Sequence, residues 1–189
     1  MNKKILAAVA ALGLLASYAV PLSVVPAIVS AASSDYYLKI DGVDGEAAVK
    51  GHEKEIDIMS WSWGVSQTST MSSGGGMGAG KVNFQDLHIT KMVDKATPVL
   101  FKMAATGQHI KKAELKVLRP SPDGKEMQYM IYTFEDVMVT SWQNSADPLV
   151  EEISLNFAKV SMEYTPQKPD GKLDTAVKAG YDLKMNKAV

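Results

Sequence analysis

Several residue types and motifs that carry chemistry are missing from this chain. It has no cysteine, which excludes disulfide bonds and thiolate metal sites. Its three histidines, His52, His88 and His109, include no pair at a metal-binding spacing such as H-x-x-x-H. The nucleophile motif G-x-S-x-G is also absent. From these absences we expect no catalytic residue, no metal and no cofactor.

Charge of one sign is not in excess. The 189 residues carry 20 Lys or Arg against 21 Asp or Glu, and the formal net charge is −1. No basic stripe is interleaved with aromatic residues, so nucleic acid is not expected as a partner. Hydrophobic residues make up 46% of the chain, which is enough for one domain with a core.

The one long hydrophobic run lies at the N terminus. A basic start, residues 1–4, precedes the apolar residues 5–20, and small residues follow at 29–32. This order is the pattern of a secretory signal peptide. The small-residue rule places cleavage after Ala31 or Ala32.

An uncleaved membrane helix is the alternative for this leader, because residues 5–29 are long enough to span a bilayer. Pro21 and Pro26 interrupt such a helix, so a signal peptide is favoured. The predicted domains are therefore residues 1–32, a cleaved signal peptide, and residues 33–189, a single domain. Loss of the two leader lysines brings the net charge of the mature form to about −3, with no membrane segment.

The rest of the chain is typical of antiparallel β-structure. Strand formers and alternating apolar residues occur in six stretches, which are residues 36–40, 55–63, 81–90, 112–118, 126–142 and 151–165. The apolar face changes parity around Asp86 and again within 151–165, which predicts bulges or bends. In the tail, a short helix over 176–179 and a strand near 181–185 are predicted.

One further helix is predicted near the middle of the chain. Thr97 can cap it, Pro98 suits its first turn, and Gly107 suits a left-handed stop. Its apolar stripe consists of Val99, Leu100, Met103 and Ala104. Six or seven strands and one such helix predict an all-β dominated fold, a two-sheet antiparallel β-barrel or sandwich with one flanking short α-helix.

The glycine-rich residues 74–82, GGGMGAGKV, resemble a phosphate-binding loop. The stretch fits G-x-x-x-x-G-K as far as Lys81, but Val82 stands where a hydroxyl should ligate Mg²⁺. A strand follows, whereas phosphate binding uses the N terminus of a helix. We therefore interpret residues 64–80 as a long flexible loop, with Lys81 beginning the next strand.

Tryptophan and acidic residues offer two further functional interpretations. Trp61 and Trp63 alternate along a predicted strand, where a platform for sugars or bases is less expected than a core or a subunit interface. Glu55 and Asp57 share one face, but solvated charges are favoured over a glycosidase pair. The sequence therefore predicts a structural or binding role.

Several long stretches of the chain match one family. They are DYYLKIDGVDGEA (35–47), IDIMSWSWGVSQ (56–67), GAGKVNFQDLHITKMVDKATPVL (78–100), EEISLNFAKVSMEYTPQKPDG (151–171) and AVKAGYDLKMNK (176–187). In content and order they resemble the Hcp family, the haemolysin-coregulated tube proteins of bacterial type VI secretion systems. The resemblance covers nearly all of residues 35–189.

The resemblance implies a β-barrel of two sheets with one flanking helix, which forms hexameric rings that stack into a tube. A contractile sheath expels such a tube, with effectors in its lumen or on a tip spike. Sheath, spike and effector proteins are thus implied partners, the implied location is extracellular, and the family is not enzymatic. A long, Met-containing loop suits a contact between stacked rings, and the candidate subunit-contact residues are Met71, Gly76, Met77, Lys81, Trp61 and Trp63.

The leader departs from this family, whose tube proteins begin just before DYYLKIDG and carry no secretory signal. Three explanations stay open: an exported relative that has left the tube, a start placed upstream of the true one, or a leader that coexists with the tube role. The next methionine, Met59, lies inside the domain, which disfavours the second. The alternative function is an exported Hcp-like binding or carrier protein that reaches the periplasm and acts as a free ring.

Overall fold

A computed structural model describes four segments of the chain, which are residues 35–72, 76–120, 126–146 and 149–189. For residues 69–72 and 76–81 it describes the backbone alone. The predicted signal peptide, residues 1–32, lies outside the described residues. Within them, no helix has the length and hydropathy needed to cross a bilayer.

The described segments form twelve β-strands and one α-helix. In chain order they are β1 (Asp35–Ile40), β2 (Ile56–Ile58), β3 (Ser60–Ser62), β4 (Val65–Ser72), β5 (Gly76–Phe84), β6 (Leu87–Met92), α1 (Thr97–Thr106), β7 (His109–Pro120), β8 (Glu126–Ala146), β9 (Leu149–Asn156), β10 (Lys159–Tyr164), β11 (Val177–Asp182) and β12 (Lys187–Ala188).

Ten of the strands form one antiparallel sheet that closes into a barrel. Its strand order is β12-β11-β10-β8-β7-β1-β2, and β9, β6 and β3 extend in turn from β8. Only Met59 separates β2 from β3, and its amide donates a hydrogen bond to Thr90 O at 2.8 Å. The sheet therefore returns on itself, while β4 and β5 form a second, two-stranded sheet. The predicted two-sheet antiparallel barrel with one flanking helix is confirmed.

The barrel depends on β8, which has 21 residues and changes partner along its length. Its first half pairs with β10 up to Glu135, and its second half pairs with β9 from Met138. Asp136 lies at the change, with a left-handed φ of 53°. Asp tolerates this conformation better than most residues because its short polar side chain bonds locally.

Two side chains hold the Asp136 carboxylate. His109 Nδ1 lies 2.8 Å from Oδ1, and Lys184 Nζ donates to Oδ2. The hydrogen bond from Lys184, and then that of His109, keep the pKa of Asp136 below its ordinary value. The start of β7 and the turn after β11 are thereby attached to the point at which β8 changes partner.

The two predicted parity changes are breaks between strands. β5 ends at Phe84 and β6 begins at Leu87, while β9 ends at Asn156 and β10 begins at Lys159. At the first break β5 pairs with β4, whereas β6 pairs with β3 and β9; at the second, β9 and β10 pair with different halves of β8. Each strand therefore keeps its own apolar face. Residues 55–63, expected as one strand, divide in the same way into β2 and β3.

Residues 64–80 do not form the expected flexible loop. β4 and β5 pair from Val65 with Phe84 to Ser72 with Gly76, which makes a β-hairpin. Lys81 therefore lies inside β5 and does not begin it. The prediction was wrong because Ser, Thr and Gly have low strand propensity, whereas cross-strand pairing can override propensity.

The central helix is confirmed and the tail helix is wrong. α1 has Pro98 in its first turn, and its C-cap is Gly107, whose left-handed φ is 64°. Thr97 does not cap it; its Oγ1 accepts a hydrogen bond from the Asp94 amide, and the N-cap is Ala96. Residues 176–179 lie largely within β11, because pairing with β10 holds them extended.

An ion pair lies inside the apolar core. The core includes fully buried side chains from five strands and the helix, which are Leu38, Ile56, Leu87, Leu100, Leu115 and Leu155. Lys91 of β6 and Glu151 of β9 are register partners with 0% exposure, and Nζ lies 2.9 Å from Oε2. Lys91 Nζ also lies 2.7 Å from Asp94 Oδ1, just before α1. The pair thus links two strands to the start of the helix.

We expect Lys91→Met to lower the free energy of unfolding by about 3–5 kcal/mol, because it leaves the Glu151 carboxylate buried without a cation. Urea unfolding followed by tryptophan fluorescence measures this. The double variant Lys91→Met/Glu151→Leu serves as the control and should recover most of the loss, since it removes both charges. A loss below about 1 kcal/mol for the single variant would contradict this account of the core.

Candidate assembly surface

Among the described strands, only β4 and β5 lie outside the main sheet, and they pair with each other as a hairpin. Its register shifts between Gln67 and Ser69, so that Gly80 and Lys81 both fall opposite Thr68, which is a β-bulge. A two-stranded hairpin is marginally stable by itself in water. A second surface packed against it would therefore stabilise the hairpin.

The structure brings four of the six predicted contact residues together on this hairpin. Met71 and Met77 are register partners, Gly76 pairs with Ser72, and Lys81 lies in the bulge. These positions follow from the backbone, since their side chains are outside the description. A contact role for these residues stays a prediction.

The two tryptophans lie at the base of the hairpin, half-buried. Trp61 packs against Tyr36 and Tyr132, with ring centroids 6.2 and 5.2 Å apart. Trp63 stacks on Phe84 at 6.3 Å and meets Phe157 edge-on at 6.2 Å. These rings join the main core, which agrees with the core interpretation of the pair. Their exposed parts leave an interface role as a prediction.

An apolar groove runs beside the hairpin base, with a volume of about 170 Å³. Trp63, Val65 and Phe84 line one side, and Met162 and Tyr181 line the other. Val65 is 55% exposed there. The residues of the second side were not predictable from the sequence, because their strands lie far from the hairpin in the chain. Largely apolar walls without a carboxylate, amine or imidazole suit binding of a protein surface more than chemistry.

The most buried carboxylate outside the core pair belongs to Glu55, which was expected to be a solvated charge. It is 5% exposed, His52 Nδ1 lies 2.8 Å from its Oε2, and Lys116 Nζ donates to its Oε1. Burial opposes its ionisation, but the hydrogen bonds from Lys116 and His52 outweigh burial and lower its pKa. The His52 ring also stacks on Tyr37, with centroids 4.5 Å apart. This network fastens the segment before β2 to the barrel.

A shallow polar groove of about 270 Å³ lies over β6 and β9 and contains His88. His88 Nδ1 is 2.8 Å from Ser154 Oγ. Asp86 does not contact His88; its two oxygens accept hydrogen bonds from Thr140 Oγ1 and Asn156 Nδ2. Within the described segments, no acidic group is hydrogen-bonded to the histidine, as the triad of a serine nucleophile would require. Among the described residues, no group of three or more His, Asp or Glu is placed to hold a metal ion.

Comparison with known proteins points to secretion machinery. The family described as "Type VI secretion system effector, Hcp" matches residues 37–164. Protein hcp1 of Pseudomonas aeruginosa is 43% identical over 157 residues, which cover 80% of this chain and 96% of that protein.

Two solved structures have the same fold. Hcp1 from Salmonella typhimurium is 35% identical, with a TM-score of 0.68, and the match covers 83% of this chain and 99% of that one. A structure described as a type six secretion system protein is 32% identical, with a TM-score of 0.77, and covers 83% and 100%. Because the family match spans more than half of the sequence and is joined by relatives above 30% identity, this chain belongs to the Hcp family of type VI secretion system proteins.

Proposed function

We propose that this chain is a structural component of a type VI secretion system that forms hexameric rings, and that the rings stack into the secreted inner tube. The observation that carries the stacking role is the β4–β5 hairpin, which pairs only within itself among the described strands. Family membership supports a tube or effector protein over a free ring acting outside such a system.

Ring formation by one kind of chain needs a heterologous contact. One patch of each copy meets a different patch of the next, and the rotation between copies closes the ring. Stacking needs another contact that can dissociate when the tube is delivered. The hairpin, with Met71, Met77 and Lys81 on its strands, fits this second contact because methionine side chains adapt to different surfaces.

The partners and the chemistry follow from that role. The chain partners with itself in rings and stacks, and the sheath, the spike and carried effectors are the further partners. The protein acts without catalysing a reaction; the hydrogen bonding of His88 to Ser154, with Asp86 directed elsewhere, supports this. Proteins of the Hcp family are secreted by type VI systems, and we extend that location to this chain.

The ring is tested by the mass of residues 33–189 in solution. Size-exclusion chromatography with light scattering should give six times the mass of one chain. A stable monomer at micromolar concentration would remove the ring from the proposal. Genes for a sheath and a baseplate beside this gene would further favour the tube over a free ring.

Stacking is tested by deleting residues 72–79, the outer part of the hairpin. Rings should keep their mass, because the barrel does not include these residues, while tubes should disappear from electron micrographs. Met71→Ser/Met77→Ser is a milder companion that keeps the hairpin length. Tubes of normal length in the deletion variant would be inconsistent with stacking through the hairpin.

The leader is tested by mass spectrometry of the exported protein. We propose that residues 1–32 are a cleaved signal peptide, because a basic start, an apolar run and small residues occur in that order. The mature N terminus should be Ala32 or Ser33. Recovery of an intact Met1 would refute cleavage. Direct export by the type VI machine would then be the remaining route.

A further inference from the structure

The one arginine of the chain lies beside a bulge in its longest strand. At Val117 and Leu118 of β7 the register with β8 shifts, so that Tyr129 is left without an opposite residue. Tyr129 is thus the extra residue of a β-bulge, a device that re-aims a side chain. Arg119 is stacked on its ring, with the guanidinium carbon Cζ 4.1 Å from the ring centre.

The guanidinium of Arg119 is available to an anion. The side chain is exposed, and within the described segments its contact is the Tyr129 ring rather than a carboxylate. A guanidinium presents five N–H donors in a planar fork that matches a carboxylate. Stacking on an aromatic face fixes the plane of the fork and leaves the donors at its edge free. The bulge therefore orients a cation without neutralising it.

A second aromatic ring stands beside this cation. Tyr164, the last residue of β10, is 42% exposed, and its ring lies edge-on to that of Tyr129, with centroids 6.5 Å apart at an angle of 88°. The Thr165 amide donates a hydrogen bond to the Tyr129 carbonyl at 2.8 Å. The backbone thus ties the end of β10 to the bulge and holds the two rings next to each other.

The segment after β10 adds neutral groups. Gln167 and Leu173 form an isolated β-bridge, and Gln167 Nε2 donates a hydrogen bond to the Gly171 carbonyl at 2.9 Å. Because that bond engages the amide nitrogen, the amide oxygen of Gln167 can accept a hydrogen bond from a ligand. Leu173 is 40% exposed and offers an apolar contact.

Together these groups line a small pocket of about 50 Å³. Its described lining has one cation and no carboxylate. The pocket has room for a small polar group such as a carboxylate but not for an aromatic ring, since benzene needs a cavity of about 150 Å³. A larger ligand must therefore place an acidic group in the pocket and lie across the exposed face of Tyr164.

We propose that this pocket binds a saccharide that carries a carboxylate, such as a uronic acid. Arg119 binds the carboxylate through its fork, and the amide oxygen of Gln167 accepts a hydrogen bond from a sugar hydroxyl. The C–H face of the sugar ring packs on Tyr164. An acidic peptide offers the carboxylate but neither the hydroxyl nor the flat ring face. The site does not depend on the proposed ring, because one chain supplies all of its residues.

The test is isothermal titration calorimetry of the full chain with tetragalacturonate, in which every sugar carries a carboxylate. Saturable binding in the millimolar range is expected. The fully methyl-esterified tetramer is the matched neutral probe and should bind about 10-fold more weakly, because its esters cannot accept charge-assisted hydrogen bonds. Absence of binding, or equal binding of the two tetramers, would overturn the proposal.

Three variants separate the parts of the site. Arg119→Gln should weaken tetragalacturonate binding by about 10-fold, and Arg119→Lys should lie between it and wild type because it keeps the charge without the fork. Tyr164→Leu should weaken binding of the tetramer by about 3- to 10-fold while leaving binding of acetate unchanged, since acetate has no ring to stack. Both side chains are exposed, so the melting temperature should not change.

The matched control is Lys111→Gln, which removes another exposed cation of β7 and should bind as wild type. Unchanged affinity in Arg119→Gln, or an equal loss in Lys111→Gln, would overturn the assignment to this pocket. A tetraglutamate peptide should bind more weakly than tetragalacturonate. Tighter binding of the peptide would replace the saccharide with an acidic polypeptide, and acetate binding as tightly as the tetramer would likewise exclude recognition of the sugar.

Discussion

The fold depends on one strand that serves two sets of neighbours. β8 pairs with β7 over most of its length, with β10 along its first half and with β9 along its second. The left-handed Asp136 lets the strand turn between the two halves without ending. Its carboxylate binds His109 and Lys184, so the residue that bends the strand also fastens two other segments to the bend. The β9 side of the barrel and the β10–β12 side are therefore both hydrogen-bonded to the same strand, β8.

The general architecture was predictable because its signals are local. Alternating side chains marked most of the barrel strands, and Pro98 with Gly107 marked the helix ends. The two parity changes were also informative, because each marks a place where one continuous apolar stretch of sequence forms two strands. The family resemblance read from long matching stretches is confirmed by the comparisons. The β4–β5 hairpin was not predictable in this way, because Ser, Thr and Gly residues carry little strand signal and its pairing is a property of the backbone.

The assembly surface was only partly visible in the sequence. Trp61 and Trp63 were expected in a core or an interface, and they join the core while keeping exposed parts beside the hairpin. The exposure of Met185 was not predictable either, since a single apolar residue in a tail is ordinary until the fold shows that it lies in a surface turn. The same holds for Glu55, whose burial depends on Lys116, 61 residues away. The burial or exposure of these side chains depends on contacts between distant parts of the chain, and residue spacing in the sequence does not show such contacts.

The pairing order of the barrel also has a consequence for synthesis. β6 pairs with β3, which precedes it, and also with β9, so that His88 reaches Ser154 only after 66 further residues have been synthesised. β1 similarly pairs with β7, which is synthesised later. β7 in turn pairs with β8, so this part of the sheet forms only after β8 has been synthesised. Loop closure over such distances makes folding slow relative to local structure. The barrel therefore cannot close until β9 has left the ribosome, because β9 pairs with both β6 and β8.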